Sequence, residues 1–297
     1  MRSRLLTTVL TAYAPASWGT TYLITTELLP AHKPLLAGVM RALPSGVILL
    51  AYSRELPRGA WWWKAALLGA LNVGALFAFL FVSAERLPGG VAATISAVGP
   101  LIVAVLSWPV LGLRPTVRMI LAGCIGVVGV SLLVLTPKAS LDAIGILAAL
   151  GSTTVFAIGT VLVKRWGRPA SLVAFTGWQL AFGGLALIPL WLAVEGAPSH
   201  LGGDAIGGFV YLTFANTAIA YALWFRGIER LPATAVSFLT LLSPIVAAVL
   251  GYAVLDQTLT GLQLFGMVLA GTGLVAGQLV AVTRVSAVPE PAAEAVP

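Results

Sequence analysis

Ten stretches of about 20 residues, each apolar and nearly free of charge, follow one another along this chain. They fall at roughly 6–26, 34–52, 62–83, 89–111, 118–136, 143–163, 171–193, 205–225, 232–254 and 261–282, joined by short loops. Hydrocarbon offers no partner to a backbone N–H or C=O, so each stretch has to satisfy its own polar groups. At this length the form that does so is a helix, not a barrel strand. Of 297 residues only 9% are charged, while 59% are of apolar type; a soluble domain carries about 25% charged residues. The expectation is an all-α membrane protein with ten transmembrane helices. A soluble enzyme, a nucleic-acid binder and a secreted disulfide scaffold are excluded. The single cysteine, Cys124, lies inside an apolar run, so an internal disulfide or a cysteine-based metal site is excluded too. No metal or cofactor is expected.

The first stretch follows Arg2 and Arg4 and contains Ala14 and Ala16, as a signal peptide would. Its apolar run exceeds the 7–15 residues of a signal core and nine more spans follow, so it is expected to be retained. Orientation follows from Lys and Arg. With a cytoplasmic N-terminus, the inside holds Arg2, Arg4, Arg54, Arg58, Lys64, Arg114, Arg118, Lys164, Arg165, Arg168, Arg226, Arg230 and Arg284. The outside holds Lys33, Arg86 and Lys138, and Arg41 lies within span 2. This bias places both termini in the cytoplasm, and the cell inner membrane is the expected location. Trp61, Trp62 and Trp63 open span 3 as an aromatic interface anchor. Residues 284–297, rich in proline and alanine, are expected to be a disordered tail.

The chain also repeats itself at an offset of 144 residues. Glu85-Arg86-Leu87-Pro88 recurs as Glu229-Arg230-Leu231-Pro232, Pro100 falls on Pro244, Asn72 on Asn216, Phe81 on Phe225 and Thr116 on Thr260. Apolar composition produces chance matches of Ala, Leu and Val, but not Glu-Arg-Leu-Pro, a proline and an asparagine in one register. Each repeat holds five spans, an odd number, so the second copy enters the membrane from the opposite side. The expected organisation is 1–136 and 137–283 as two inverted five-helix repeats around a central cavity. Secondary transporters use such repeats for alternating access.

Trp18-Gly19 in span 1, Arg41 in span 2, and the Pro100 and Pro244 helices, each followed by an apolar run, resemble the EamA-type ten-helix permeases of the drug/metabolite transporter superfamily. The resemblance covers about residues 5–282 as two halves. Thr20-Thr21 follows Trp18-Gly19 where many members carry a residue such as Asn or Ser. The resemblance implies a cavity lined mainly by spans 1, 3, 4, 6, 8 and 9, with spans 5 and 10 peripheral. It implies export of amino acids or other small metabolites, and relatives in the superfamily exchange nucleotide sugars or sugar phosphates.

Candidate site residues follow. Pro100 and Pro244 each deprive the carbonyl four residues earlier, at Ser96 and Thr240, of its helical partner. Such a kink suits a ligand site or a gating bend, or is satisfied by a neighbouring helix. Asn72 and Asn216 either line the cavity or bond between helices. Arg41 sits about 10 Å deep at 1.5 Å per residue, as a counter-charge for a substrate carboxylate, a cap on free carbonyls or a snorkelling cation. Trp18, Tyr22, Phe77, Phe79, Trp108, Phe156, Trp178, Tyr221 and Trp224 add aromatic surface for amphipathic solutes, and Trp18, Tyr22, Phe79, Phe156 and Tyr221 are the cavity candidates among them. The acids Glu27, Glu55, Glu85, Asp142, Glu195, Asp204, Glu229 and Asp256 fall at span ends or in loops, and His32 and His200 in outer loops. With no mid-span proton relay, facilitated diffusion or exchange is expected, and an intramembrane protease is excluded. A sugar-phosphate or nucleotide-sugar antiporter is the alternative, and it needs two or more cavity cations where Arg41 is available. Gly123, Gly126 and Gly129 in span 5 and Gly266, Gly271, Gly273 and Gly277 in span 10 suit close packing within a monomer, or a homodimer face.

Overall fold

The computed structural model describes residues 2–30, 33–135, 142–196 and 202–285, and among these every regular element is helical. Lys138, His32, His200 and the tail beyond 285 lie outside the described residues. Span 1 is Arg2–Gly19 continued by Thr21–Glu27, span 2 Pro34–Ser53 and span 3 Trp61–Arg86. Span 4 is Gly89–Ser96 with Gly99–Leu111, span 5 Val117–Val134, span 6 Ala143–Trp166 and span 7 Leu172–Val194. Span 8 is Gly203–Arg230, span 9 Ala233–Phe238 with Leu242–Val254, and span 10 Gly261–Val285. Spans 2 to 10 are long and apolar enough to cross a membrane. Span 1, the tenth, carries Arg4 and is interrupted at Thr20, whose hydroxyl donates to the Ser17 carbonyl (2.7 Å) instead of leaving the helix ladder intact.

The inversion is visible where equivalent spans meet. A Cβ on Gly129 would collide with Ala270, one on Gly273 with Gly126, and one on Gly266 with Leu133. As residue number rises along span 5 it falls along span 10, so the two equivalent helices run antiparallel. The pairs 129–270 and 126–273 exchange under the 144-residue offset. Spans 2 and 7 behave the same way, with Gly46 on Ala181, Gly184 on Leu43 and Gly177 on Leu49 and Leu50. Here Gly46 and Gly184 replace each other at an offset of 138. Small residues let these backbones approach without intervening side chains, which is how helices gain dispersion contacts in a solvent as apolar as themselves. Gly126, Gly129, Gly266 and Gly273 therefore close spans 5 and 10 on each other within one chain, while Gly123 faces Leu101 of span 4 and Gly277 faces Phe238 of span 9.

Repeated sequence gives repeated backbone. Proline forces the preceding residue out of the helical region, and Leu87 (φ −118°, ψ 144°) and Leu231 (φ −116°, ψ 161°) both comply. Pro88 and Pro232 then start spans 4 and 9 with ψ of 138° and 139°. Thr116 accepts from the Met119 amide (3.3 Å), and its counterpart Thr260 from that of Gln263 (3.3 Å), so both peripheral helices begin with a threonine cap. Capping is also reciprocal between spans 2 and 7. Glu195 accepts from the Leu35 and Leu36 amides (2.5 and 2.8 Å) at the start of span 2. At the other end Glu55 accepts from the Ser171 amide (3.2 Å), which caps span 7. That hydrogen bonding to Ser171 holds the exposed Glu55 carboxyl below its ordinary pKa of 4.5.

Candidate functional site

Spans 3 and 8 each contain one widened, π-helical turn, at Ala70–Ala75 and Phe214–Ile219. The two differ by 144 at both ends, and Asn72 and Asn216 occupy the third place in each. A π turn takes its backbone bonds one residue further on, which loosens the carbonyls inside it for outside donors. Both asparagine carbonyls are used this way. Tyr221 Oη donates to Asn72 O (3.0 Å), and Trp18 Nε1 donates to Asn216 O (3.2 Å). The two side chains are fully buried. Gln179 Oε1 in span 7 accepts from Asn72 Nδ2 (2.8 Å). Asn216 Oδ1 accepts from the Arg41 guanidinium in span 2 and from the Thr21 hydroxyl (3.3 Å), while Asn216 Nδ2 donates to Ser17 O (2.5 Å). Under the 138-residue offset of spans 2 and 7, Arg41 and Gln179 are equivalent. Each half thus tethers the other half's π-turn asparagine, once with an amide and once with a cation.

Arg41 is 7% exposed. Its Nε donates to Thr217 Oγ1 (2.8 Å), and the guanidinium carbon lies 5.0 Å from the centre of the Phe77 ring. Among the described residues the ion pairs are Arg86–Asp142 and Arg168–Glu229, so Arg41 has no carboxylate opposite it. Neutral dipoles and a ring quadrupole offset part of its desolvation. Two further buried atoms, Asn72 Oδ1 and Trp224 Nε1, have no hydrogen-bond partner; such orphans cost about 1–3 kcal/mol each.

Aromatic rings join the two π turns. Trp18 of span 1 lies 5.8 Å from Phe156 of span 6, and 5.4 and 5.2 Å from Tyr221 and Trp224 of span 8, ring centre to ring centre. Phe156 stacks on Trp224 at 5.6 Å. A continuous path of contacts therefore runs from Arg41 through Asn216, Trp18 and Tyr221 to Asn72. Gly159 in span 6 makes room for Asn72, because a Cβ there would overlap its amide.

The structure gathers Trp18, Arg41, Asn72, Phe156, Asn216 and Tyr221 of the sequence candidates. Phe79 is 40% exposed and packs over Gly151, and the Tyr22 side chain lies outside the described residues. At Pro100 and Pro244 the helices are interrupted, not simply bent. A turn at Ala97–Val98 precedes Pro100, which opens the second piece of span 4 in the first turn, where a missing N–H costs nothing. In span 9 a tight turn at Leu239–Leu241 precedes Pro244. Pro100 is buried, Pro244 and Thr240 are half-buried and Ser96 is exposed; the Thr240 hydroxyl donates to Ser237 O (2.7 Å). Gln179, Thr217 and Trp224 belong to the site as well. The signal for Gln179 is the change of offset from 144 to 138 between spans 3/8 and spans 2/7, which aligns it with Arg41. No group of three or more His, Cys, Asp or Glu gathers among the described residues.

The sequence profile of the EamA-like transporter family matches twice, over residues 5–135 and 143–276. Protein PecM of Dickeya dadantii (strain 3937) is 43% identical over 265 residues, which cover 89% of each chain. A chloroplastic WAT1-related protein of Arabidopsis thaliana is 29% identical, over 84% of this chain and 64% of that one. An uncharacterised transporter of Synechocystis is also 29% identical, over 84% and 83%. A crystal structure sharing 20% of residues superposes with a TM-score of 0.77 over 93% of this chain and 98% of its own, a likeness of fold. With two inverted five-helix repeats and a doubled family match, this multi-pass membrane chain belongs to the EamA-like transporter family of the drug/metabolite transporter superfamily.

Proposed function

We propose that this transporter moves amino acids, aromatic and amphipathic ones included, out of the cell by alternating access, as facilitated diffusion or exchange. Arg41 carries the reading: a buried guanidinium in span 2 without a carboxylate among the described residues. A substrate carboxylate would supply the missing charge, with bidentate geometry to match. At the far end of the contact path, the unpartnered Asn72 Oδ1 accepts the substrate ammonium, and the rings of Trp18, Phe156, Tyr221 and Trp224 offer π faces to the side chain. Ser96, Pro100, Thr240 and Pro244 act as the hinge of spans 4 and 9, where interrupted helices can reorient.

In this reading residues 1–136 and 137–283 are the two rocking units, both termini are cytoplasmic and the protein sits in the cell inner membrane. Purified protein in liposomes, loaded with amino acid and assayed with and without an imposed pH gradient, tests it. Efflux of amino acids that ignores the gradient is expected. Flux of sugar phosphates with none of any amino acid would reverse the substrate assignment.

A further inference from the structure

Spans 1 and 8 touch at Thr11 and Gly227, where a Cβ on the glycine would run into the threonine side chain. From Thr11 one face of span 1 leads back through Thr7, whose carbonyl accepts the Thr11 hydroxyl (2.7 Å), to Arg4. Span 8 ends beyond Gly227 with Arg230, and Arg226 precedes it. Between them the helices leave an open recess of about 350 Å³ lined by Arg4, Leu6, Thr7, Arg226, Arg230 and Leu231. The neighbouring acid, Glu229, is committed elsewhere: its carboxylate accepts from Arg168 at 3.1 and 3.2 Å. Among the described residues neither Arg226 nor Arg230 forms an ion pair. Like charges around one recess repel, and a bound anion turns that repulsion into attraction.

We propose that this recess binds a phosphate-bearing ligand, the headgroup of an anionic phospholipid from the leaflet in contact with it. Guanidinium forks match phosphate oxygens in pairs, and basic pockets between membrane helices suit such headgroups. The apolar rim selects the lipid over free phosphate. Leu6, which lines the recess, is 57% exposed, its neighbours along span 1, Leu5 and Val9, are 67% and 59% exposed, and this stretch offers acyl chains a surface that inorganic phosphate cannot use. The site bridges the first span of one repeat and the third span of the other, so an occupied recess clamps the two halves together at that end. Which leaflet supplies the lipid rests on the cytoplasmic reading of the termini, whereas binding itself does not.

The melting midpoint of the full chain tests this in micelles with phosphatidylcholine alone, with added phosphatidylglycerol, and with phosphatidylcholine plus inorganic phosphate. Phosphatidylglycerol is expected to raise the midpoint saturably, as any ligand selective for the folded state does, and added salt to weaken the effect. The double variant Arg226→Gln/Arg230→Gln is expected to lose this increment. Should it melt early in phosphatidylcholine, Arg226→Lys, which keeps the charge and loses the fork, is expected to retain part of it. Equal increments in wild type and variants would overturn the site. An increment reproduced in full by inorganic phosphate would overturn the lipid as its source. None of these readouts uses a transported solute, so a missing amino-acid flux leaves the site standing.

Discussion

Arg41 keeps a charge where charge is costly, and its hydrogen bonds to Asn216 and Thr217 are made by a planar fork with fixed directions. Arg41→Gln keeps one amide donor but removes the charge. Since a hydrogen bond to a charged group contributes about 1.5–3 kcal/mol, flux of a carboxylate solute is expected to fall about 10- to 100-fold in vesicles. Arg41→Lys is expected to recover little, because an ammonium cannot hold Oγ1 of Thr217 and Oδ1 of Asn216 in one plane; recovery to wild-type flux would mean that the charge alone matters. On the opposite tether, Gly159→Ala pushes a methyl group into the Asn72 amide. A loss of about 1–3 kcal/mol is expected from such overpacking, read as an earlier thermal unfolding in detergent. At this scale the sequence marks Asn72, Asn216 and Arg41 as costly polar groups in hydrocarbon. Gln179 stands opposite Arg41 in the second repeat, but a glutamine in an apolar span carries no charge to mark it as a tether.

Helices here are held by what they lack as much as by what they carry. Gly129 and Gly273 let spans 5 and 10 touch backbone to backbone, whereas Gly271, also in span 10, has nothing within 4 Å of an added Cβ. Gly129→Leu is expected to destabilise the fold by about 1–3 kcal/mol or more, and Gly271→Ala to leave it unchanged or firmer by up to about 1 kcal/mol through helix propensity. Parallel melting curves of the two variants check the contrast. Thr116→Ala and Thr260→Ala each remove a cap, and about 0.5–2 kcal/mol apiece is the expected loss. Glu55, held below its ordinary pKa by Ser171, caps span 7 above pH 4.5 and releases it as pH falls through its lowered value. Span positions and glycine faces are legible beforehand, since hydropathy and small-residue spacing record them directly. The widened turns of spans 3 and 8 are not. One extra residue in a helical turn leaves the composition of Ala70–Ala75 indistinguishable from its surroundings.

For the molecule as a whole the decisive relation is inversion. It predicts that the two Glu-Arg-Leu-Pro turns face opposite sides of one bilayer. In a Cys124→Ser background, single cysteines at Glu85→Cys and Glu229→Cys are expected to react with an impermeant thiol reagent from opposite faces of oriented cells and vesicles. Reaction of both from one face would refute the topology. Inversion is legible from the odd number of spans per repeat, and the glycines of spans 5 and 10 suggest their close packing; the pairing of spans 2 with 7 is not legible, because helix neighbours across a repeat boundary leave no trace in local sequence. The unlike tethers, a cation at 41 and an amide at 179, also give the assembly an electrical polarity. In the proposed alternating access, any movement of Arg41 along the bilayer normal would do work against the membrane voltage, about 2.3 kcal/mol per 100 mV for a full crossing. The neutral Gln179 would not cancel that work, so on this proposal a polarised cell would weight the two orientations unequally.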